Sequence, residues 1–157
     1  MNLYIKQHIF TWGDQFSIYD EAGNEKYTCE GEILSFGRKL HLCDLTGREL
    51  AYIEQQLFTW MPRYVIYRDG EQVAEVAKEF TFFHPEYTVE GPGWMVSGDF
   101  FDHDYEVRDG DSLIASVEKE WFTLGDAYEI SIGDGADEIL ALAVVLVIDA
   151  CIDAQRR

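Results

Sequence analysis

The densest group of chemistry-bearing side chains is Asp99, Asp102, His103 and Asp104, to which His84 would add a second imidazole if the fold brought it near. Carboxylate oxygens gathered in this way can hold calcium or another hard cation. The spacing is not that of a calcium loop. Counted from Asp102, the twelfth position is Leu113, where a bidentate Glu belongs, and no glycine falls at the sharp turn. The four residues therefore read first as a solvated turn between strands, with a cation site as their functional alternative.

Other groups offer less. Gly133 and Gly135 imitate the start of a dinucleotide loop, but Glu138 stands where the third glycine belongs, and Asp134, Asp137 and Glu138 would repel a pyrophosphate. These glycines read as the entry to a helix. Glu118 with Glu120, and Glu30 with Glu32, are carboxylate pairs of the type glycosidases use, yet residues two apart on a strand share a face by default. No Ser, Thr or Cys sits in a recognisable nucleophile context, and His8, His41, His84 and His103 show no triad or ligand spacing. Cys29, Cys43 and Cys151 are odd in number and far apart, so neither a disulfide framework nor a zinc site is indicated, and no cofactor is expected. Lys78 and Lys119, each between acidic residues and just before an aromatic, read as cross-strand partners of Glu side chains. Trp12, Trp60, Trp94 and Trp121 read as core and barrel-rim packing rather than a ligand pocket.

Charge narrows the partners. Thirty Asp and Glu against twelve Lys and Arg leave a net charge of −18, which opposes nucleic acid and acidic membranes. Reduced thiols, and an N-terminal stretch from Met1 to Phe10 without a signal-peptide pattern, point to a cytoplasmic protein whose first segment is a strand.

The elements that must position these residues are mostly strands. Short apolar runs bounded by Asp, Gly and Asn recur from Phe16 to Asp20, Lys39 to Asp44, Leu50 to Phe58, Arg63 to Arg68 and Gln72 to Phe82. They continue from Glu86 to Glu90, Trp94 to Phe100, Tyr105 to Arg108, Leu113 to Phe122 and Ala127 to Ile132. A repeat runs through them. Tyr67-Arg68-Asp69-Gly70 followed by Ala74 to Phe80 returns as Val107-Arg108-Asp109-Gly110 followed by Ala115 to Trp121, two hairpins turned on Asp-Gly. Two earlier hairpins, around Gly23 and Gly47, make the series a meander within a single domain spanning residues 1–157.

After Gly133-Asp134-Gly135 the pattern changes: Ile139 to Ile148 is ten apolar residues without a break. Acidic residues before it and Arg156 and Arg157 after it suit a helix dipole, with Asp134 or Asp137 as N-cap. Spanning a bilayer takes about 20 apolar residues, so a run cut short at Asp149 and Asp153 reads as a buried core helix. The expected fold is mainly β with one helix, a closed antiparallel barrel around its own hydrophobic C-terminal helix.

Several segments resemble the LURP-one-related family of the tubby C-terminal-like superfamily, to which the phospholipid scramblases are also similar. They are Tyr87-Thr88-Val89-Glu90-Gly91, Gly98-Asp99-Phe100, Tyr105 to Asp109, Val117-Glu118-Lys119-Glu120-Trp121 and Gly125-Asp126-Ala127-Tyr128-Glu129-Ile130, followed by the terminal helix. The resemblance spans the whole chain and implies a twelve-stranded barrel around a central hydrophobic helix. It implies no activity. Tubby proteins hold phosphoinositides with Lys and Arg clusters that this chain lacks, and scramblase-like calcium and acylation motifs are absent. The functional expectation is a non-enzymatic binding or scaffold domain, with an unknown protein or small molecule as partner. Its alternatives are a peripheral, lipid-associated or cation-dependent membrane protein, and a hydrolase using surface carboxylates.

Overall fold

The structure, a computed structural model, describes residues 1–6, 15–32, 36–81, 84–120 and 127–155. Expectations resting on His8, Trp12, Trp121, Gly125, Asp126, Arg156, Arg157 and the Glu120 side chain lie outside the described residues.

Twelve antiparallel strands follow in chain order: β1 Asn2–Lys6, β2 Gln15–Tyr19, β3 Glu25–Gly31, β4 Lys39–Cys43, β5 Glu49–Gln55, β6 Arg63–Arg68, β7 Glu71–Phe80, β8 Pro85–Glu90, β9 Trp94–Asp99, β10 Asp104–Asp109, β11 Ser112–Glu120 and β12 Ala127–Ile132. Each pairs with its sequence neighbours, and β1 closes the ring on β12, with Leu3 opposite Ile130 and Ile5 opposite Tyr128. Closure removes every exposed edge. Period-two alternation places Ile18, Leu42, Ile53, Ile66, Val96 and Val107 inside. Polar residues such as Ser17, Thr28, Glu54 and Glu106 face outward on the same strands.

The helix α1, Glu138–Gln155, fills the lumen, and its residues from Leu140 to Ile152 are all buried. The helix expected from Ile139 to Ile148 therefore continues past Asp149, because that carboxylate is enclosed at the far end of the lumen instead of stopping the helix. Asp137 is the N-cap, its Oδ1 accepting from the Leu140 N–H at 3.1 Å. Arg68 holds the same Asp137 at 2.6 Å, and Glu138 meets Lys26 at 3.1 Å and the Tyr27 hydroxyl.

Because the strands run as an unbroken meander, their connections alternate between two ends. One end, here the hairpin end, carries the turns at 20–24, 44–48, 69–70, 91–93 and 110–111 and the entry to α1. Asp69 and Gly70, with φ of 51° and 79°, form the primed turn that fits strand twist, whereas the second hairpin turns on Gly110 and Asp111, one residue later than the expected Asp-Gly, with its register shift between Val107 and Arg108 displaced by one residue from the repeat position of the shift between Ile66 and Tyr67. Gly133 donates to the Ile114 carbonyl at 2.9 Å, and a side chain there would press on the Leu113 carbonyl, which confirms its role as helix entry.

Candidate functional site

With the lumen filled by the protein's own helix, a ligand must meet the wall or an end. The end opposite the hairpin turns, where the described connecting residues are 32, 36–38, 56–62, 81, 84 and 100–103, is chemically distinct. Every exposed Phe or Trp among the described residues stands there: Phe58 and Trp60 are fully exposed, Phe36 88%, Phe80 78% and Phe101 53% exposed. Phe58 also holds a φ of 61°, a left-handed conformation that costs a bulky residue roughly 1–3 kcal/mol. Backbone strain spent on presenting a ring to solvent marks a functional surface better than exposure alone.

Among the described residues, two hollows can be traced at this aromatic end. The larger, about 730 Å³, lies between β7, β8, β9 and the last turn of α1, and is lined by Lys78, His84, Glu86, Tyr87, Asp99 and Phe101 among others. The smaller, about 350 Å³, lies under Phe58, Trp60 and Met61. Lys78 lines both. Its position follows from the strand period: Ala74 and Val76 point inward, so Lys78, opposite Tyr87 in the ladder, also faces inward where the lumen opens. This corrects the expectation of a cross-strand Glu partner. The correction holds for Lys78, which makes no ion pair among the described residues; the repeat-equivalent Lys119 lies opposite Tyr128 in the ladder. Arg38, at the same rim, pairs with Asp153 on the last turn of the helix, supplying a cation to the negative end of the helix dipole.

Beneath the mouth lies a buried polar floor. Asp149 on α1 approaches the Nδ1 of His103 at 3.7 Å, and the His103 ring stacks on Tyr128 with centroids 4.7 Å apart. Tyr64, Tyr87 and Tyr105 are almost wholly buried around them, and burial raises the phenol of Tyr105 well above its usual range. Burial likewise pushes the Cys151 thiol up to about 12, although a hydrogen bond with Tyr87 works against it. A thiol so held stays protonated and is a poor nucleophile at neutral pH. Cys29, Cys43 and Cys151 are all free, as their spacing predicted.

The residues singled out by sequence separate. Asp99 and Asp104 stand opposite each other at the ends of β9 and β10, and Asp99 Oδ1 accepts from the Asp102 N–H at 3.3 Å. His103, in a left-handed turn with φ of 51°, swings inward to Asp149 and away from these three carboxylates. Among the described residues no group of three or more His, Cys, Asp or Glu side chains converges as a metal site would require. His84 lies 3.6 Å from Glu86 on the rim of the larger hollow. Glu118 stands opposite Glu129 on the outer wall, and Glu32 with Glu49 flanks His41 at 2.9 Å and 2.6 Å. Trp94 packs in the core as expected, whereas Trp60 does not.

The aromatic end was missed by a search for catalytic spacing, yet its signal is in the sequence. Phe58-Thr59-Trp60 and Phe80-Thr81-Phe82 repeat the order Phe, Thr, aromatic in sequence, as do Phe10-Thr11-Trp12 and Phe122-Thr123-Leu124 with an apolar third member in the last, although residues 10–12, 82 and 122–124 lie outside the described residues. Core strands alternate; consecutive aromatics around a Thr at a strand end do not.

Among the described residues no helix is long and apolar enough to cross a membrane. In sequence, the chain is 35% identical over 149 residues to the uncharacterized protein YxjI of Bacillus subtilis strain 168, covering 95% of this chain and 92% of that one. In structure it is similar to an Arabidopsis thaliana protein solved by X-ray, with a TM-score of 0.67 at 17% identity over 99% of this chain and 91% of that one, a likeness of fold. The family described as LURP-one-related matches residues 1–149, and with the closed twelve-stranded barrel and its central helix in place, this chain belongs to the LURP-one-related family.

Proposed function

We propose that this protein is a non-enzymatic binding domain that engages its ligand with the aromatic end of the barrel. One observation carries the reading: Phe36, Phe58 and Trp60 from connections, and Phe80 from the end of β7, project into solvent at a single end, one of them from a strained backbone. Large exposed apolar groups gathered in one region are a mark of interaction surfaces. The rest of the molecule supports it. The lumen is occupied by α1, the wall is polar, and the buried titratable groups sit beneath the mouth with the Cys151 thiol held in its unreactive form.

The test uses the uncharged dye Nile red. Native protein should enhance its emission, and the double variant Phe58→Ser/Trp60→Ser should reduce that enhancement at least about threefold with an unchanged urea midpoint, since exposed sites contribute little to stability. Absence of enhancement, or the same enhancement in the double variant, overturns the assignment of this end as the binding face.

A further inference from the structure

Resting on that reading, we infer that the aromatic end docks on a zwitterionic lipid surface, with Lys78 receiving the headgroup phosphate and the acidic rim receiving its ammonium. Three observations lead there. The first is shape and polarity: rings of Phe and Trp stand beyond the strand ends, while the wall behind them is polar. Aromatic side chains at the tip of a polar body are the arrangement that settles at the level of lipid headgroups.

The second is the sign of charge at each end. The hairpin end is rich in carboxylates, with Asp20, Glu21, Asp44, Asp69, Asp109 and Asp111 in or beside its turns, and bases there are held in ion pairs, Lys26 with Glu138, Arg68 with Asp137 and Arg108 with Glu106. At the aromatic half, Lys39, Arg63, Lys78 and Lys119 stand in strand ends next to its loops, interleaved with Glu79, Glu86 and Asp99, and Lys78 makes no ion pair among the described residues. With −18 overall, a surface of net negative charge would repel the molecule, whereas a surface of paired opposite charges would not. Orientation follows, since the acidic end is held furthest from the lipid.

The third is Lys78 itself. A half-buried ammonium with no ion pair among the described residues, placed where two hollows meet, is a ready receptor for a phosphate. Glu86 and Asp99 line the larger of the same hollows together with Phe100 and Phe101, a carboxylate and ring setting that suits an alkylammonium group. A phosphate and an ammonium a few bonds apart in one headgroup match that layout; an anionic headgroup would meet the same carboxylates without a partner for them.

Flotation with the intact protein tests this in three arms: phosphatidylcholine vesicles, vesicles half phosphatidylglycerol, and phosphatidylcholine vesicles with excess soluble phosphocholine. Native protein should float with the first, at least roughly tenfold more weakly with the second at low salt, and with the first almost undiminished by phosphocholine, because the rings supply most of the contact. Phe58→Ser/Trp60→Ser should weaken flotation by roughly tenfold or more, and Lys78→Gln by roughly threefold, each with an unchanged urea midpoint. Tighter binding to the anionic vesicles, or flotation indifferent to Lys78→Gln, overturns the zwitterion assignment. No flotation alongside a normal, ring-dependent Nile red response overturns the lipid surface and leaves the aromatic end as the face for a protein. Loss of both responses removes the binding face itself.

Discussion

The two ends of this barrel are built by the same twelve strands and differ in nearly everything else. At the hairpin end, connections are short, rich in Asp and Gly, and tied to the start of the helix through Arg68–Asp137, Lys26–Glu138 and the Asp137 cap. At the aromatic end, connections place Phe58 and Trp60 wholly in solvent, one with an unfavourable backbone, and leave two hollows around Lys78. A closed meander thus separates its duties by parity: alternate connections secure the fold, and the others present aromatic side chains to solvent. The lesson is that in a barrel with a filled lumen, function is to be sought in what one end can dispense with.

Substitutions at the two ends sharpen or break that contrast. Asp137→Ala removes both the helix cap and the partner of Arg68, and should cost about 1–2 kcal/mol in urea unfolding. A loss no larger than that of an ordinary surface change, under about 0.5 kcal/mol, would mean the hairpin end does not anchor the helix. At the other end, Phe58→Gly relieves the left-handed strain at φ 61° and should leave stability unchanged or raise it by up to about 1 kcal/mol, while lowering the Nile red response. Destabilisation instead would show that Phe58 is structural, and the contrast between the ends would weaken.

The smallest effect concerns the wall between them. His41 reaches Glu32, on the aromatic side of its strand, and Glu49, on the hairpin side. Burial lowers its pKa, but hydrogen bonds and charge from Glu49 and Glu32 outweigh that and raise it above the ordinary value. A raised histidine stabilises the fold fully below its unfolded value, about 6.5, and that contribution fades as pH rises through the folded value. His41→Gln should therefore lose more stability at pH 5.5 than at pH 8.5, by well under about 1 kcal/mol given its contact with solvent. Equal losses at both pH values would show that His41 contributes packing alone, through its stack on Tyr52 at 4.9 Å.

Much of this architecture was legible before any coordinates. β6 and β12 coincide with the runs Arg63 to Arg68 and Ala127 to Ile132, because alternation and Asp-Gly turns are local signals with a single mechanical meaning. The helix was legible for the opposite reason: residues apolar on all sides must be enclosed. Its extension through Asp149 was not, because whether a carboxylate ends a helix depends on what faces it, here His103 from the β9–β10 turn and Tyr105 from β10, both distant in sequence. His103 was misgrouped with its sequence neighbours for a related reason. A left-handed residue at a turn reverses which way its side chain points, and composition does not record that. Lys78 and Lys119 were read by their neighbours in sequence, whereas strand parity, counted from Val76 and Val117, aims them inward.

The order in which the barrel closes carries a consequence for how it is made. Strand β1 waits for β12, its ring-closing neighbour across nearly the whole polypeptide, and the plug of the lumen arrives only after that. A shell sealed without that helix would enclose an empty greasy lumen, so the ring and its plug depend on each other. Among the described residues the seam between β1 and β2 has the fewest partners in register, Tyr4 with Tyr19.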